Sequence, residues 1–148
     1  MLIRRATRED MPQWLRLRSA LWPAHDEEDW PEEILSMLHN QRRRATFVAE
    51  QDGVLVGFLE ASLRDYAPKC QSSPVGFVEG WYVEKKNRKS GIGRALVKAA
   101  ERWAIDKGCT EMASDALIRN TRSHRAHKAL GYEEVERQVC FRKALRSL

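Results

Sequence analysis

The clearest periodic pattern in this chain lies between residues 92 and 104, where apolar side chains recur every three or four positions. Such spacing places them on one face of a helix. The positions are Ile92, Leu96, Val97, Ala100, Trp103 and Ala104. Gly108 follows as a residue suited to ending a helix. The pattern therefore predicts a strongly amphipathic helix in the second half of the chain.

The first half carries the alternating pattern of strands. Residues 45–50 (ATFVAE) and 54–63 are separated by an Asp-Gly pair, which is typical of a β-hairpin turn. Residues 75–83 (VGFVEGWYV) predict a third long strand. Gly76 and Gly80 interrupt that strand and indicate a bulge or a close backbone approach.

The remaining segments complete an alternation of strands and helices. In chain order they are an edge strand over 2–6, a helix capped by Thr7 with Asp10 and ending at Pro23, a helix over about 26–41, a polar loop from Arg64 to Pro74, a strand over 109–117, a helix over 120–130, and a strand or hairpin arm over 132–145. The order β-α-α-β-β-β-α-β-α-β predicts an α/β fold with a mixed sheet, antiparallel in its front half and with one βαβ crossover. The chain has no repeat or linker, and 148 residues predict one domain over 1–148.

Composition and cysteine count narrow the class of protein. With 43% hydrophobic and 32% charged residues the chain is expected to be globular. No apolar run approaches the roughly 18 residues of a membrane span, and the first residues lack a signal peptide's apolar core, so we expect a cytoplasmic protein without a membrane partner. The three cysteines show neither zinc spacing nor a disulfide framework, which favours free thiols and no metal. Cys109 and Cys140 are interpreted as core residues rather than catalytic thiols.

Charge is unevenly distributed along the chain. A net charge of +5 admits nucleic acid as a partner. However, residues 26–33 (DEEDWPEE) are strongly acidic, while 85–98 and 119–128 are basic. This arrangement fits a protein that binds one anion and one cation better than it fits a nucleic-acid binder.

The sequence Arg88-x-x-Gly91-x-Gly93 stands between the 75–83 strand and the amphipathic helix. Glycines allow the backbone to approach an anion, and the free N–H groups of a first helical turn point towards it. Neither the Rossmann spacing nor the Gly-Lys-Ser/Thr of a Walker loop is present. The turn predicts a pyrophosphate-binding site, the alternative being a helix start that binds nothing.

At this point the chain resembles the GCN5-related N-acetyltransferase superfamily over nearly its whole length. The resemblance implies that the strand backbone of Trp81, Tyr82 and Val83 pairs with the pantetheine of acetyl-coenzyme A. It implies that the turn holds the pyrophosphate. The cofactor-binding residues of that turn are then Arg88, Lys89, Ser90, Gly91, Ile92, Gly93 and Arg94, joined downstream by Asn120.

One position departs from the superfamily's pattern. Where the family usually has a tyrosine as general acid to the departing thiolate, seven residues after Asn120, this chain has His127. A histidine donates a proton only as imidazolium, whose reference pKa is about 6.5. His127 is therefore either the general acid or a residue that packs on the cofactor arm.

Within the superfamily, the chain is most similar to bacterial aminoglycoside 6′-N-acetyltransferases. The segments that carry this likeness are Leu21-Trp22-Pro23, the acidic second helix, Glu79 to Val83, Ser114-Asp115, and residues 127–134 (HKALGYEE). The resemblance implies a cationic aminosugar as substrate, antibiotic resistance as the outcome, and a homodimer. It also adds side chains to the substrate cleft: Trp22, His25, Tyr66 and Glu136.

The residues themselves agree with a polyamine substrate. Glu79 lies on the strand expected to meet the pantetheine, and Asp115 ends the neighbouring strand, so both are expected near the thioester. Either carboxylate could take the proton of the attacking ammonium, and clustered acids are expected to raise one another's pKa. No residue is placed as a covalent nucleophile, which favours direct attack in a ternary complex.

Two other functions stay open on the sequence alone. The same fold could acetylate another amine, such as a polyamine, an amino-acid derivative or a protein amine, because fold does not set substrate. A non-catalytic coenzyme A-binding module is the other. The alternating segment 136–145 (ERQVCFRKAL) would be an exposed edge in a monomer, which agrees with pairing across a dimer interface.

Overall fold

The computed structural model describes residues 1–23 and 27–146, which fall into two compact units divided after Asp115. The first unit holds a five-stranded sheet, and the second begins at Ala116 and holds one helix. The strands are β1 (Leu2–Arg5), β2 (Arg44–Gln51), β3 (Val54–Arg64), β4 (Val75–Val83) and β5 (Met112–Ser114). The helices are α1 (Met11–Leu21), α2 (Trp30–His39), α3 (Ile92–Asp106) and, in the second unit, α4 (Thr121–Ala129).

The sheet order follows the chain, β1-β2-β3-β4-β5. The pairs from β1 to β4 are antiparallel, whereas β4 and β5 are parallel and are connected through α3. A parallel pair needs such a crossover because the chain must return to the same end of the sheet. The predicted antiparallel front half and single βαβ crossover are confirmed.

Helices cover both faces of the sheet. Phe58 on β3 belongs to the core cluster of α1 and α2 with Trp14 and Ile34. A Cβ atom at the preceding residue, Gly57, would lie 3.3 Å from the Leu96 side chain of α3. Since consecutive strand residues point to opposite faces, α1 and α2 pack on one face and α3 on the other. All six apolar positions predicted for α3 are buried.

A bulge interrupts the pairing of β3 with β4. Glu60 pairs with Gly80 and Ala61 pairs with Val78, so Glu79 is the extra residue between them. The two glycines of β4 are sites of close approach. A Cβ atom at Gly76 would lie 2.5 Å from the sulfur of Met112, and one at Gly80 would lie 2.7 Å from the ring of Trp22. The predicted bulge and close approach are confirmed.

An ion pair is buried between α1 and β3. Arg18 and Glu60 are 4% and 1% exposed, and the Arg18 guanidinium donates to the carboxylate at 2.6 and 2.8 Å. The indole N–H of Trp14 donates to the same carboxylate at 2.8 Å. The guanidinium also lies 5.2 and 5.3 Å from the ring centres of Trp22 and Trp30. Because these hydrogen bonds offset much of the cost of removing the two charges from water, the pair can lie inside the core.

Two predicted elements are shorter in the structure, and a separate 3₁₀ turn precedes the first helix. The described part of the second helix begins at Trp30 rather than near residue 26, with Pro31 in its first turn, where a missing N–H costs nothing. The strand predicted over 109–117 is limited to β5, whose ladder ends beside the bulge of β4. Thr7 and Asp10 do form the predicted capping box, at a 3₁₀ turn that precedes α1.

The last predicted strand is wrong. Residues 132–146 contain neither helix nor strand. A strand forms only where a neighbour supplies the other half of its ladder, and the described part of the second unit contains no other strand. The observed order therefore ends with α4. In the part of the chain that the structure describes, no helix has the length and apolar character needed to cross a bilayer.

Candidate active site

Residues 88–94, which form the turn into α3 and the first residues of that helix, are shaped to receive an anion. Lys89 and Gly91 both have left-handed backbone conformations, with φ of 64° and 88°. Among the described residues no side chain caps the start of α3, so the N–H groups of its first turn can donate hydrogen bonds to a ligand. Alternating conformations of this kind turn successive N–H groups into one concave surface that suits a phosphate. The residues of this turn, which we call the glycine turn, are therefore well placed for the predicted role.

Gly93 has a different reason to be glycine. A Cβ atom there would lie 3.2 Å from the indole of Trp81, closer than side chains ordinarily pack. The glycine turn thus packs directly against β4. Arg88 contributes to the same junction, since its Nε donates to the Val83 carbonyl at 2.8 Å and its guanidinium lies over the Tyr82 ring. This arginine is engaged with the strand itself.

The second half of β4 has backbone that β5 does not cover. The ladder between them pairs only Gly76–Val78 with Met112–Ser114, while β4 continues to Val83. β5 therefore does not pair with the backbone of residues 81–83. An extended ligand arm can add to such an edge through main-chain hydrogen bonds. This is the arrangement predicted for the pantetheine.

Glu79 and Asp115 lie where β4 and β5 separate. Val78 and Ser114 are the last paired residues, and the two acids are the residues that follow them. The guanidinium of Arg64, at the end of β3, interacts electrostatically with both carboxylates. The structure thus brings the two predicted acids together. Asp115 is exposed, and within the described residues it makes no hydrogen bond or ion pair.

Glu79, by contrast, is held from two sides. Arg64 donates to it twice, from Nη2 to Oε1 at 2.7 Å and from Nε to Oε2 at 3.0 Å, and the Ser62 hydroxyl donates to Oε2 at 2.5 Å. Burial raises the pKa of this carboxyl, but the hydrogen bonds from Arg64 and Ser62 outweigh burial, so the pKa of Glu79 lies below its ordinary value. The expectation that clustered acids raise one another's pKa is wrong for Glu79, because the hydrogen bonds from Arg64 and Ser62 stabilise its ionised form.

Trp22 lies beside this pair of acids. Its ring rests on Gly80, the residue after Glu79, and it meets Trp30 and Phe58 edge to face at 6.3 and 6.4 Å. The region of Glu79, Asp115 and Trp22, where the substrate amine is predicted to bind, is called the acceptor site below. Of the other predicted substrate residues, Tyr66 is 73% exposed in the loop after β3, and His25 lies outside the described residues.

Replacing Gly80 with alanine is expected to move Trp22. The new methyl group would stand 2.7–2.9 Å from two ring carbons, and the backbone at residue 80 has no left-handed φ that alanine would strain. We expect KM for the acceptor to rise severalfold with KM for the acetyl donor unchanged, as read from steady-state kinetics. Gly53→Ala is no suitable control because its φ is 78°, whereas Ala61→Gly on the same strand pair leaves Trp22 untouched. An unchanged KM in G80A would contradict the placement of Trp22 in the acceptor site.

Three predicted residues belong to the second unit. Asn120 accepts a hydrogen bond from the Ser123 amide at 3.2 Å and so caps α4. The Nδ1 atom of His127 lies 2.7 Å from the Ser123 carbonyl, and its ring meets Tyr132 edge to face at 5.7 Å. Because a carbonyl oxygen only accepts, Nδ1 carries hydrogen, and protonation would take place at Nε2. Glu136 is exposed.

Arg64 and Arg18 are the neighbours of the site that the sequence analysis missed. A signal for both exists on β3. Glu60, Ser62 and Arg64 are polar residues at alternate positions of an otherwise apolar strand, so all three share the face towards α1 and α2. Polar groups on a buried face need hydrogen-bond partners. For a buried glutamate, an arginine on an adjacent element is a suitable partner. Among residues 1–23 and 27–146 no group of three or more His, Cys, Asp or Glu side chains is arranged to hold a metal ion.

This fold and site define a class of protein. The model of the Acetyltransferase (GNAT) family matches residues 11–132, and the chain belongs to that family. A relative from Stenotrophomonas maltophilia, an aminoglycoside N(6′)-acetyltransferase type 1, is 45% identical over 144 residues, which are 97% of this chain and 93% of that protein.

Two solved structures are also similar along the whole chain. The structure of AAC(6′)-Iy with the bisubstrate analogue CoA-S-monomethyl-acetylneamine has a TM-score of 0.92 at 40% identity and covers 97% of this chain and 98% of that one. The apo structure of the aminoglycoside 6′-N-acetyltransferase AAC(6′)-Ig from Acinetobacter haemolyticus has a TM-score of 0.91 at 37% identity, with coverage of 99% and 100%.

Proposed function

We propose that this protein transfers the acetyl group of acetyl-coenzyme A to the 6′-amino group of aminoglycoside antibiotics and thereby confers resistance. The observation that carries the proposal is that Glu79 and Asp115 each follow the last paired residue where β4 and β5 separate. A polycationic acceptor is attracted to such a pair of carboxylates. The likeness to aminoglycoside N(6′)-acetyltransferases over nearly the full chain supports the same substrate class.

The residues present fit acetyl-coenzyme A. The glycine turn offers N–H groups to a pyrophosphate, and the basic side chains Lys89 and Arg94 flank it. The pantetheine arm is proposed to lie along residues 81–83, where β4 continues beyond its ladder with β5. When bound, acetyl-coenzyme A supplies the acetyl thioester. Asn120 stays a predicted cofactor-binding residue.

In the proposed reaction the two acids have different tasks. Glu79, ionised and held by Arg64, binds an ammonium group of the acceptor. Asp115, which no basic residue among those described engages directly, takes the proton of the reacting amine, either directly or through a water molecule. The neutral amine then attacks the acetyl carbonyl, which a backbone N–H of 81–83 polarises.

The cysteines support direct transfer rather than a covalent acetyl-enzyme. Burial raises the pKa of the Cys109 thiol and that of the Cys70 thiol, so neither is a ready thiolate. Cys140 is exposed in the second unit. A trapped acetyl-enzyme intermediate, found by intact-mass spectrometry after rapid quenching, would contradict this part of the proposal.

His127 is proposed as the general acid to the thiolate. Because Nδ1 is engaged by the Ser123 carbonyl, only the imidazolium has a proton to give from Nε2. The His127→Ala enzyme is therefore expected to have a lower kcat than the parent. A kcat profile of H127A that coincides with the parent at every pH would remove His127 from the chemistry.

One assay tests the proposal against its alternatives. Release of coenzyme A is followed with kanamycin, with spermidine and with a lysine-containing peptide as acceptors. We expect turnover with kanamycin alone. Turnover with spermidine or the peptide instead would indicate another amine as substrate. Binding of acetyl-coenzyme A without turnover of any acceptor would indicate a non-catalytic binding module.

We further propose a homodimer formed through the last segment of the chain. Its apolar side chains alternate with polar ones and are exposed: Val139 by 74%, Phe141 by 92% and Leu145 by 87%. A monomer would leave these side chains in water, which favours association. Sedimentation velocity at micromolar concentration is expected to give a dimer, and a monomer would contradict this proposal. Glu136 in the same segment is proposed to face the aminoglycoside.

Domain organisation and location complete the proposal. The family match spans both compact units, which supports one acetyltransferase domain over 1–148. Cys70, Cys109 and Cys140 form no disulfide, in agreement with a reducing compartment, and we propose a cytoplasmic location.

A further inference from the structure

We propose that Arg64 is a positioning residue of the acceptor site. It holds the Glu79 carboxylate ionised and in one orientation, so that Oε1 alone keeps a lone pair for the acceptor's ammonium group. This inference rests on the proposed function and adds a residue that is not itself an acid or a base of the reaction.

The hydrogen bonds of Glu79 leave little choice in how it binds a cation. A carboxylate offers about four lone-pair positions. Oε2 accepts from the Ser62 hydroxyl and from Arg64 Nε, and Oε1 accepts from Arg64 Nη2. Three positions are therefore used, and the one that is left belongs to Oε1. A substrate ammonium consequently meets a carboxylate whose direction is already set.

Arg64 is itself fixed by an immobile platform. Its guanidinium carbon lies 3.5 Å from the centre of the Phe77 ring, and Phe77 is only 2% exposed. Phe77 is the register partner of Ser62 on the neighbouring strand. The guanidinium is thus stacked on a ring on one side and paired with a carboxylate on its edge, an arrangement that a planar group alone can make.

The charges around Glu79 decide how its pKa responds to the loss of Arg64. Arg44 on β2 and Arg64 on β3 both favour the ionised form, and Asp115 follows β5 on the other side. Ser62 donates a hydrogen bond. Without Arg64, the stronger of the two positive influences disappears, while burial, which raises the pKa of Glu79, stays. The pKa of Glu79 must then rise, and protonation of Glu79 will reach higher pH.

The test compares Arg64→Gln and Arg64→Lys with a matched control. Arg43→Gln removes the same charge one residue before β2, where Arg43 pairs with the exposed Asp65 at 3.0 Å and makes no contact with Glu79. We expect R64Q to raise KM for kanamycin roughly tenfold, the size of a lost hydrogen bond to a charged group. KM for acetyl-coenzyme A should stay unchanged, and the acid limb of kcat/KM should move to higher pH. R43Q should behave like the parent in all three.

Arg64→Lys separates charge from geometry. A lysine keeps the positive charge but has neither the bidentate fork nor the flat stack. We expect R64K to keep the position of the acid limb and still to bind kanamycin more weakly than the parent. If Arg64 had a merely structural role, its replacement would instead lower the melting temperature of the protein. The KM values for both substrates would then change together.

The inference and the proposed function fail in different ways. Calorimetric titration with kanamycin in the presence of coenzyme A measures the acceptor site without turnover. If the parent binds kanamycin but does not acetylate it, the proposed function fails while the weaker binding of R64Q still supports the inference. Equal kanamycin affinity of folded R64Q and the parent would overturn the inference. The inference would also be overturned if R64Q weakened kanamycin binding by the same factor in a protein that already carries Glu79→Gln. No kanamycin binding by the parent would contradict both.

Discussion

Replacing Asp115 with asparagine is expected to reduce kcat/KM for an aminoglycoside by about 10²–10⁴-fold, the usual contribution of a general base. Asparagine has nearly the same shape but cannot take the proton of an ammonium group. Asp115 is exposed, and it follows Ser114 at the end of the short β5 ladder. We therefore expect the fold and the affinity for acetyl-coenzyme A to be retained. Steady-state kinetics with kanamycin, and acetyl-coenzyme A binding by calorimetry, check both parts.

Asp106→Asn is the matched control for this substitution. Asp106 is an exposed aspartate at the last residue of α3, the end of the helix away from the glycine turn. Its loss removes the same charge without touching the acceptor site. Wild-type kinetics are expected for D106N. A D115N enzyme with the same kcat/KM as D106N would remove Asp115 from the role of base.

Replacing Glu60 with glutamine is expected to lower the free energy of unfolding by about 3–5 kcal/mol. Among the described residues, the substitution leaves the Arg18 guanidinium, 4% exposed, with the half-exposed Glu33 as its one charged partner. The indole N–H of Trp14 also loses a carboxylate acceptor. Because the guanidinium supports Trp22 and Trp30, we expect the acceptor site to loosen too, with a higher KM for kanamycin. Urea denaturation measures the stability change.

A double substitution distinguishes the stability cost of losing the ion pair from the cost of leaving one buried charge unpaired. Arg18→Met with Glu60→Leu removes both charges and is expected to destabilise less than Glu60→Gln alone, because no buried ion is left unpaired. Arg43→Gln, which breaks the exposed pair with Asp65, should change stability little. If E60Q were as stable as R43Q, the buried pair would not contribute as argued.

Local patterns were sufficient to predict most elements of the sheet and α3. The six buried positions of α3 follow directly from its spacing, and β4 has the predicted bounds 75–83. The glycines of β4 correctly indicated a bulge and close contacts, because a missing side chain is itself a local signal. The predicted strand over 132–145 fails for the opposite reason. Alternation shows that a segment can be a strand, but only a neighbouring strand makes it one.

The two acids of the acceptor site could be predicted from the sequence, but the lowered pKa of Glu79 could not. Glu79 and Asp115 each follow the last paired residue of a neighbouring strand, so their proximity follows from the order of elements. The lowered pKa of Glu79 depends on Arg64, fifteen residues earlier and on another strand. Contacts of this kind are set by register, and a bulge shifts the register. The pairing of Arg18 with Glu60 across 42 residues is unpredictable for the same reason.

Two aminoglycosides that differ at the 6′ position can show whether the protein acetylates a 6′-amino group beside Glu79 and Asp115. Neomycin and paromomycin are matched aminoglycosides that carry, respectively, an amino and a hydroxyl group at the 6′ position. Coenzyme A release should be rapid with neomycin, with a single acetyl group located at 6′ by NMR of the product, and close to background with paromomycin. Equal turnover of the two, or an acetyl group at another nitrogen, would contradict the account.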